Sequence, residues 1–339
     1  MSKQRFFNSS VRFCILGSGS WATALMKLLL YKQSNNVYWY IRSNETIDHI
    51  KKHGNNPKYL SSVRFDTTKF KMTSDINEAI EYSNVVIIAV PAVYIPSMLE
   101  ANVTNLTERF IVSAVKGIIP GLNKSISEYF NHNYNIPYSQ LGVISGPCHA
   151  EEVALERLSY LTFSSKRKNL AEFISENLET PFLRMIASTD VYGSEYAAIL
   201  KNIYAIGAGI CHGLGYGDNF ISVFVSNAFE EMRRFLNDTN LSPRQTTRSA
   251  YLGDLLVTCY SQFSRNRTLG NMIGKGYSVQ TAVMEMNMVA EGYYASKCMH
   301  EINITKGVNM PIADTIYRIL HKNHRAYNEI KKISEDVLL

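Results

Sequence analysis

Two hydrophobic periodicities alternate in the first half of the chain. Short β-branched runs occur at "RFCILG", "NVYWYIR", "NVVIIAVP", "RFIVSAVKG" and "QLGVISGP". Segments with helical spacing separate them, such as "WATALMKLLLYK", "INEAIEYS" and "NKSISEYFNH". Strands that alternate with helices predict β-α-β units, and strands without a polar face predict a parallel sheet covered on both sides. Two further strand candidates, "YLTFSS" and "FLRMIAS", complete this region.

The pattern changes near Asp190, where strand signals almost vanish. Four stretches then carry the three-to-four spacing of helices: "GSEYAAILKNIYAIGAGICHGL", "NFISVFVSNAFEEMRRFLND", "TLGNMIGKG" and "DTIYRILHKNHRAYNEIKKISEDVLL". The predicted fold class is therefore α/β, with a Rossmann-like doubly wound parallel sheet followed by an all-α C-terminal domain. We place the dinucleotide-binding domain at residues 1–189 and the helical, substrate-binding domain at residues 190–339.

A glycine turn joins the first predicted strand to the first predicted helix. Gly17-x-Gly19-x-x-Ala22 allows a tight turn, close approach of a pyrophosphate to backbone N–H groups, and close packing of helix on strand. The alternative is a plain strand-to-helix turn, but the β-α-β pattern that follows favours a dinucleotide. At the end of the second strand stands Arg42, where an acid would favour NAD. NADPH is thus favoured over NADH, unless Arg42 is only a solvated side chain.

The second half contains polar residues in apolar surroundings. Lys201 lies in the apolar helix "YAAILKNIYAIGAGI", where burial lowers the pKa of a lysine, as a proton-shuttling amine requires; a lysine that reaches to solvent is the alternative. Asp254 and Thr258 share one helical face. Ser264 is a candidate N-cap for a helix whose first turn holds Arg265, Asn266 and Arg267, an arrangement that suits a phosphate, although a solvated basic turn is possible.

Two loops at predicted strand ends add further candidates. Lys116-Gly117 follows one strand and Gly146-Pro147 the next, at the sheet edge where open α/β folds bind ligands. His149 is a possible acid or base, but an isolated loop histidine receives no role here. The eight histidines show no metal-ligand spacing, so no metal is expected.

Composition narrows the class of protein. The 339 residues are 46% hydrophobic and 19% charged, typical of a globular protein, and the net charge of +6 comes from scattered residues, which does not favour nucleic-acid binding. Five cysteines without a C-x-x-C pair indicate reduced thiols and a cytoplasmic location. "MSKQRFFNSS" lacks the apolar core of a signal peptide, and Val85–Pro96 is too short to span a bilayer, so no membrane segment is expected.

With these motifs in order, the chain resembles the bacterial form of the NAD(P)-dependent glycerol-3-phosphate dehydrogenase family. The similarity extends from "GSGSWATA" through "VPAVYIPSML", "VKGIIPG", "SGPCHAEEVA", "LKNIYAIGAGICHGLGYGDN" and "GDLLVTCYSQFSRNRTLG" to "VAEGYYASK". It implies reversible reduction of dihydroxyacetone phosphate to sn-glycerol 3-phosphate for glycerophospholipid synthesis, in a cytoplasmic homodimer.

The resemblance also implies roles for individual residues. Lys201 is implied as the proton acceptor in the oxidising direction, and we group Lys116 and Asp254 with it as catalytic. Substrate binding is expected at Lys116, Gly146, Cys148, Lys201, Asn202, Asp254, Ser264, Arg265 and Asn266. Cofactor binding is expected at Gly17, Gly19, Ser20, Trp21, Arg42, Lys116, Ala150, Arg265, Val289 and Glu291.

The sequence departs from the family pattern at two positions. Cys148 stands where Ser or Thr is common, and a thiol is the weaker hydrogen-bond donor. Asn227 stands where many members carry arginine, so a supporting ion pair is expected to be absent. Two alternative functions remain open: a related dehydrogenase of another hydroxy acid, and a non-catalytic NADP(H)-sensing protein. The predicted phosphate-binding segment "SRNR" argues against a dehydrogenase of another hydroxy acid. The combination of Lys116, Lys201 and Asp254 argues against a non-catalytic sensor.

Overall fold

The computed structural model describes residues 11–32, 36–100, 103–242, 244–286 and 288–336. The segment 1–10, in which we expect no signal peptide, lies outside the described residues. The strands are β1 (Phe13–Leu16), β2 (Val37–Tyr40), β3 (Lys71–Thr73), β4 (Val85–Ile88), β5 (Phe110–Ser113), β6 (Ile118–Ile119), β7 (Lys124–Ser125), β8 (Leu141–Ser145), β9 (Ser159–Ser165) and β10 (Leu183–Ser188).

Eight of these strands form one sheet in the order β10-β9-β8-β5-β4-β1-β2-β3, and β6 and β7 form a separate antiparallel pair. β1 pairs in parallel with β2 on one side and with β4 on the other. The strand order therefore reverses between β1 and β4, which opens a crevice outside their carboxyl ends. The prediction of a Rossmann-like sheet is confirmed, although β3, β6 and β7 were not anticipated from the sequence.

One part of the sheet is not parallel, and this corrects the sequence-based expectation. β9 runs antiparallel to β8, and β10 is parallel to β9. The helix between β8 and β9 has only five residues (Ala150–Ala154), about 8 Å of helix, whereas β8 spans about 17 Å. β9 begins near the end of β8 and runs back along it, without the longer crossover helix that usually joins parallel neighbours.

Helices cover both faces of the sheet. They are α1 (Ser20–Lys32), α2 (Asn44–His53), α3 (Ile76–Tyr82), α4 (Ile95–Leu99), α5 (Ile126–Tyr134), α6 (Ala150–Ala154) and α7 (Lys168–Leu178). Alternate residues of β1 belong to different cores: Phe13 and Ile15 pack with α1, α2 and α7, whereas Cys14 and Leu16 pack with α3, α4 and α5. Apolar residues at every strand position are thus explained by burial on both faces.

The second half of the chain is helical. Its helices are α8 (Val191–Gly213), α9 (Asp218–Thr239), α10 (Asp254–Tyr260), α11 (Arg265–Gly274), α12 (Val279–Glu285), α13 (Glu291–Lys306), α14 (Pro311–His321) and α15 (Ala326–Asp336). α8 is central, since it contacts α9, α10, α11, α13 and α14 as well as β8 of the sheet. Nearly every residue of α8 is buried, including Lys201. No helix within the described ranges is both long and apolar enough to cross a membrane.

Candidate active site

A cleft of about 1010 Å³ lies between the carboxyl ends of the central strands and the helical half of the chain. Except for Gly146, every site residue predicted from the sequence lines it, namely Gly17, Gly19, Ser20, Trp21, Arg42, Lys116, Cys148, Ala150, Lys201, Asn202, Asp254, Ser264, Arg265, Asn266, Val289 and Glu291. The backbone of Gly146 contacts two of these side chains. Residues separated by more than 270 positions in sequence therefore meet in one cavity.

The glycine turn has a backbone that a side chain would disturb. Gly17 has φ +122°, and a Cβ atom built there would lie 2.6 Å from the Ala89 carbonyl oxygen. Two hydrogen bonds that the sequence did not reveal hold the turn: Trp39 Nε1 donates to the Gly17 oxygen at 2.7 Å, and Asn56 Nδ2 donates to the Ser18 oxygen at 2.9 Å. Trp39 lies on the adjacent strand β2, whereas no sequence pattern marks Asn56.

The features of this turn fit a dinucleotide phosphate. A Cβ at Gly19 would find no heavy atom within 4 Å, so the backbone is open toward the cleft. α1 begins at Ser20 and carries no acid in its first turn, which leaves the positive end of the helix uncompensated. Trp21 Nε1 is buried without a hydrogen-bond partner in a residue that lines the cleft. The residues present therefore fit the cofactor that the fold implies.

Arg42 lies two residues beyond β2 and is exposed at the cleft. The nearest acid, Glu45, belongs to the first turn of α2, which Ser43 caps. The end of β2 thus presents a guanidinium and no carboxylate toward the cleft. This arrangement suits an anionic group near the ribose of a bound dinucleotide.

Lys201 and Asp254 form a buried pair in the helical wall of the cleft. Lys201 Nζ donates to Asp254 Oδ1 and, at 3.0 Å, to Thr258 Oγ1. The two side chains retain 4% and 1% exposure. α8 presents Lys201, and α10 presents Asp254 and Thr258 one turn apart, as their four-residue spacing predicted. The Asp254 carboxylate offsets the free-energy cost of burying the charge of Lys201.

Lys116 approaches the same carboxylate from the sheet side. Its Nζ donates to the Gly146 carbonyl at 3.0 Å and lies 3.6 Å from Asp254 Oδ2. The Gly146 amide also donates to Asp254 Oδ2, at 3.2 Å. Asn202 Nδ2 donates to the Lys116 carbonyl at 2.6 Å and ties α8 to this loop. The two lysines therefore share one carboxylate, although they come from opposite walls.

Burial holds the pKa of Lys201 below its ordinary value of 10.5. The Asp254 carboxylate opposes this shift, while the neighbouring Lys116 ammonium adds to it. An amine in this setting exchanges a proton more readily than a solvated lysine does. Proton transfer by Lys201 stays a prediction from the sequence.

The start of α11 forms the basic end of the cleft. Ser264 caps the helix by accepting from the Arg267 amide at 3.3 Å, as the sequence predicted. Arg265 Nη1 donates to the Val289 carbonyl at 3.3 Å, and Asn266 Oδ1 accepts from the Gly292 amide at 2.9 Å. A helix N-terminus with a guanidinium at N1 is suited to a phosphate group.

Glu291 connects the helical half to the sheet. Its Oε1 accepts from the Ala92 amide at 2.9 Å, and its Oε2 lies against Gly117. Burial raises the pKa of this carboxyl to about 7, although the Ala92 hydrogen bond and Arg265 oppose the shift. Glu291 thus contacts the chain after β4 and the chain after β5.

The loop after β8 contains Cys148, His149 and Ala150. Burial raises the pKa of the Cys148 thiol to about 12. His149, to which we gave no role, does line the cleft, and burial together with Lys116 and Lys201 lowers its pKa to about 4. By contrast, Asn227 lies away from the cleft on α9, where its side chain donates to the Val223 carbonyl of the same helix at 3.0 Å.

Two features bear on the metal and thiol predictions. Within the described ranges no group of three His, Cys, Asp or Glu side chains is arranged to hold a metal ion. All five cysteines are unpaired and buried.

The fold and this cleft define an oxidoreductase class that uses a nicotinamide dinucleotide. Family models described as the N-terminus and the C-terminus of NAD-dependent glycerol-3-phosphate dehydrogenase match residues 12–171 and 190–331. The chain belongs to the NAD(P)-dependent glycerol-3-phosphate dehydrogenase family. The resemblance found in the sequence is thereby confirmed, together with the enzyme class and the NAD(P) cofactor class.

Individual relatives agree with this assignment. A glycerol-3-phosphate dehydrogenase (NAD(P)+) of Staphylococcus aureus is 32% identical over 326 residues, which are 96% of this chain and 98% of the relative. One of Chlorobium limicola is 36% identical over 312 residues, 91% and 93% of the two chains. The crystal structure of glycerol-3-phosphate dehydrogenase from Coxiella burnetii superposes with a TM-score of 0.84 at 26% identity, covering 96% of this chain and 99% of that one.

Proposed function

We propose that this protein catalyses the reversible reduction of dihydroxyacetone phosphate to sn-glycerol 3-phosphate with NADPH or NADH. The observation that carries the proposal is the buried Lys201–Asp254 pair, which shares its carboxylate with Lys116 inside the cleft that the glycine turn borders. A bound nicotinamide supplies the hydride. The chain itself must then bind an anionic three-carbon substrate and supply one proton.

The proton is assigned to Lys201. In the reducing direction its ammonium donates to the substrate carbonyl oxygen, and in the oxidising direction the neutral amine accepts the hydroxyl proton. Asp254 orients the amine and balances its charge, and the Thr258 hydroxyl accepts a second hydrogen bond from it. General acid catalysis of this kind contributes about 10²–10⁴-fold in rate.

Substrate recognition is assigned to the basic end of the cleft and to the loop after β8. Ser264, Arg265 and Asn266 would receive the phosphate at the start of α11, where a helix N-terminus carries arginine as its first residue. Lys116 adds positive charge close to the carbonyl. Gly146, Cys148 and Asn202 are the remaining proposed substrate contacts.

The cofactor is assigned to the sheet side of the cleft. Gly17, Gly19, Ser20 and Trp21 would hold the pyrophosphate at the start of α1, and Arg42 would favour NADPH by binding a 2′-phosphate. The further proposed contacts come from several elements: Lys116, Ala150, Arg265, Val289 and Glu291.

Spectrophotometry tests the proposal directly. Purified protein with dihydroxyacetone phosphate is expected to cause a rapid fall in the near-ultraviolet absorbance of NADPH, and then of NADH in a parallel assay. Product analysis should yield sn-glycerol 3-phosphate. If dihydroxyacetone phosphate causes no oxidation while another phosphorylated or hydroxy-acid-derived carbonyl does, the enzyme belongs to a related dehydrogenase activity.

A non-catalytic NADP(H) sensor is the alternative outside the enzymes. It would show NADPH binding by fluorescence and no turnover with any carbonyl compound. The alternative has no use for a buried lysine that shares a carboxylate with a second lysine in a solvent-connected cleft. We therefore retain the dehydrogenase as the proposed function.

Four further assignments belong to the proposal. Free buried cysteines support a cytoplasmic location, and family resemblance supports a homodimer and a role in phospholipid biosynthesis. The division into a Rossmann domain over 1–189 and a helical substrate domain over 190–339 is supported by the end of β10 at Ser188 and the start of α8 at Val191.

A further inference from the structure

A buried cluster outside the cleft is centred on Asp190, between β10 and α8. Its Oδ1 accepts from the Gly193 amide at 3.0 Å, while Oδ2 accepts from Arg244 Nε at 2.8 Å and from the Tyr251 hydroxyl at 2.7 Å. The Asp190 and Arg244 side chains retain 10% and 2% exposure. Arg244 also donates to the Leu236 carbonyl at the end of α9. None of Asp190, Arg244 and Tyr251 lines the cleft.

Both members of the proposed acid–base pair are carried by segments that begin at this cluster. Asp190 is the N-cap of α8, and Lys201 follows on the same helix about 16 Å further along its axis. Tyr251 belongs to the π-helical turn Ser249–Gly253, which leads directly into α10 and Asp254. One carboxylate therefore fixes the start of one segment and the middle of the other.

Asp254 is the C-cap of the π-helical turn and the first residue of α10. Its backbone N–H is shared between the Ser249 and Tyr251 carbonyls, and the bond to Ser249 is the five-residue bond that defines a π-helical turn. A change to the ordinary four-residue bond would alter the number of residues in the turn and rotate the side chains that follow. The ring of Tyr251 is buried, and its hydroxyl is bound to Asp190. This hydrogen bond is thus placed to maintain the π geometry.

We propose that Asp190, Arg244 and Tyr251 are positioning residues, and that the Tyr251–Asp190 hydrogen bond maintains the π-helical turn that aims Asp254 at Lys201. The expected effects of this role on kcat rest on the proposed function. The three residues act only through the orientation of the Asp254 carboxylate, because none of them lines the cleft.

The decisive comparison is Tyr251→Phe against Tyr38→Phe. Each variant removes one hydrogen-bonded hydroxyl from a buried tyrosine. Tyr38 is a matched control because its hydroxyl donates to Glu78 Oε1 at 2.8 Å on the sheet side of the molecule, and Tyr38 does not line the cleft. Tyr251→Phe is expected to lower kcat for dihydroxyacetone phosphate reduction about tenfold, since a small misplacement of a catalytic group is costly. KM for NADPH should stay within about twofold, and the control should retain its kcat.

The pH dependence of kcat distinguishes a change in the orientation of Asp254 from a general loss of stability. Lys201 faces Asp254 on α10, Lys116 on the loop after β5 and His149 on the loop after β8, and of these Asp254 alone is anionic. An Asp254 carboxylate that is turned away from Lys201 raises the pKa of Lys201 less than it does in the wild-type protein. The midpoint of the kcat profile should therefore move to lower pH in Tyr251→Phe. Asp190→Asn keeps an oxygen acceptor for the tyrosine hydroxyl and should retain more kcat than Asp190→Ala.

Amide hydrogen exchange provides a readout that does not depend on turnover. Faster exchange in residues 249–260 is expected for Tyr251→Phe and not for Tyr38→Phe. If wild-type protein fails to reduce dihydroxyacetone phosphate but this exchange difference appears, the proposed function fails and the positioning of the turn stands. If Tyr251→Phe matches the control in exchange, or loses kcat with an unchanged pH midpoint, the positioning role is overturned.

Discussion

Lys201 and Asp254 meet across two helices in an ion pair that solvent barely reaches, with side-chain exposures of 4% and 1%. Because Lys116 Nζ lies 3.6 Å from the other carboxylate oxygen, the pair includes a competing cation. Burial and Lys116 disfavour the charge on Lys201, while Asp254 favours it. In the proposed mechanism, this balance lets the amine serve as acid in one direction of the reaction and as base in the other.

Lys201→Met tests the proton-transfer role with a side chain of similar length and no charge. Turnover of dihydroxyacetone phosphate should fall by about 10²–10⁴-fold, the usual contribution of a general acid. NADPH binding, measured by fluorescence, should persist because Lys201 lies on the helical wall. The variant also leaves Asp254 buried without its partner, so a lower Tm is expected.

Lys27→Met is the matched control for this experiment. Lys27 is also partly buried and paired, donating to the Ala154 carbonyl at 2.9 Å and lying 3.0 Å from Glu156 Oε1, but it does not line the cleft. Its kcat should remain within about twofold of wild type. Comparable kcat values for Lys201→Met and wild type would remove Lys201 from the mechanism.

The pH dependence of kcat should be opposite in the two directions. Reduction requires protonated Lys201, so its kcat is constant at low pH and falls as pH rises through the pKa of that group. Oxidation of glycerol 3-phosphate requires the neutral amine, so its kcat rises through the same interval. Since burial and Lys116 lower this pKa, the transition should lie well below pH 10.5.

Lys116→Met sharpens the pH experiment. Removal of the neighbouring positive charge should raise the pKa of Lys201 and move the reduction midpoint to higher pH, whatever the loss in rate. The Lys27→Met control should leave the midpoint unchanged. A midpoint that moves to lower pH in Lys116→Met would contradict the electrostatic role assigned to Lys116.

Sequence patterns predicted seven of the eight strands of the sheet, without β3, and most of the residues of the cleft. They did so because the decisive residues lie at the ends of helices and strands. Gly17 follows β1, Lys116 lies shortly after β5, and Ser264 caps α11, so each motif predicts both a boundary and a chemical group. The four-residue spacing of Asp254 and Thr258 likewise predicted their common helical face.

The features that the sequence did not predict depend on contacts between segments that are distant along the chain. Asn56 donates to the Ser18 carbonyl from a loop without any motif, and Tyr251 reaches Asp190 across 61 positions. The antiparallel direction of β9 accompanies a short α6, a five-residue helix that periodicity does not resolve. Such features are set by tertiary packing, for which a single sequence carries no local signal.

A pair of glycine substitutions separates folding from cofactor binding. Gly17→Ala places a Cβ 2.6 Å from the Ala89 oxygen at φ +122°, so it should lower the free energy of unfolding by about 1–3 kcal/mol or more. Gly19→Ala meets no protein atom within 4 Å, so its Tm should match wild type. KM for NADPH should nevertheless rise in Gly19→Ala, because the methyl group occupies the space that a pyrophosphate requires.

Chemical unfolding of both variants measures the free energy of unfolding, and steady-state kinetics measures KM for NADPH. Unchanged KM for NADPH in a normally stable Gly19→Ala protein would show that the turn does not contact the cofactor. A normal Tm in Gly17→Ala would show that the strained approach to Ala89 is not maintained in solution.

Arg42→Gln tests the choice between NADPH and NADH. The variant should lose about tenfold in kcat/KM for NADPH, equivalent to about 1.4 kcal/mol, and change little for NADH, which lacks the 2′-phosphate. Arg64→Gln is the matched control: Arg64 donates to the His53 carbonyl and to Asn55, and it does not line the cleft. Equal losses for the two cofactors would assign Arg42 to general electrostatics.

Cys148 is expected to be unreactive toward alkylating reagents, although it lies in the proposed substrate site. Burial raises the pKa of its thiol to about 12, and the other four cysteines are buried with raised pKa values. Since the thiolate is the reactive form, iodoacetamide at pH 8 should leave the folded protein unmodified and fully active, whereas urea-unfolded protein should be alkylated at all five positions.

Cys148→Ser then tests what the thiol contributes to substrate binding. A hydroxyl donates a stronger hydrogen bond than a thiol, so KM for dihydroxyacetone phosphate should fall by a few fold while KM for NADPH stays constant. Cys211→Ser is a suitable control because Cys211 is equally buried but lies in the helical core away from the cleft. A lower KM in both variants would indicate a general effect on packing; a lower KM in Cys148→Ser alone would place this side chain against the substrate.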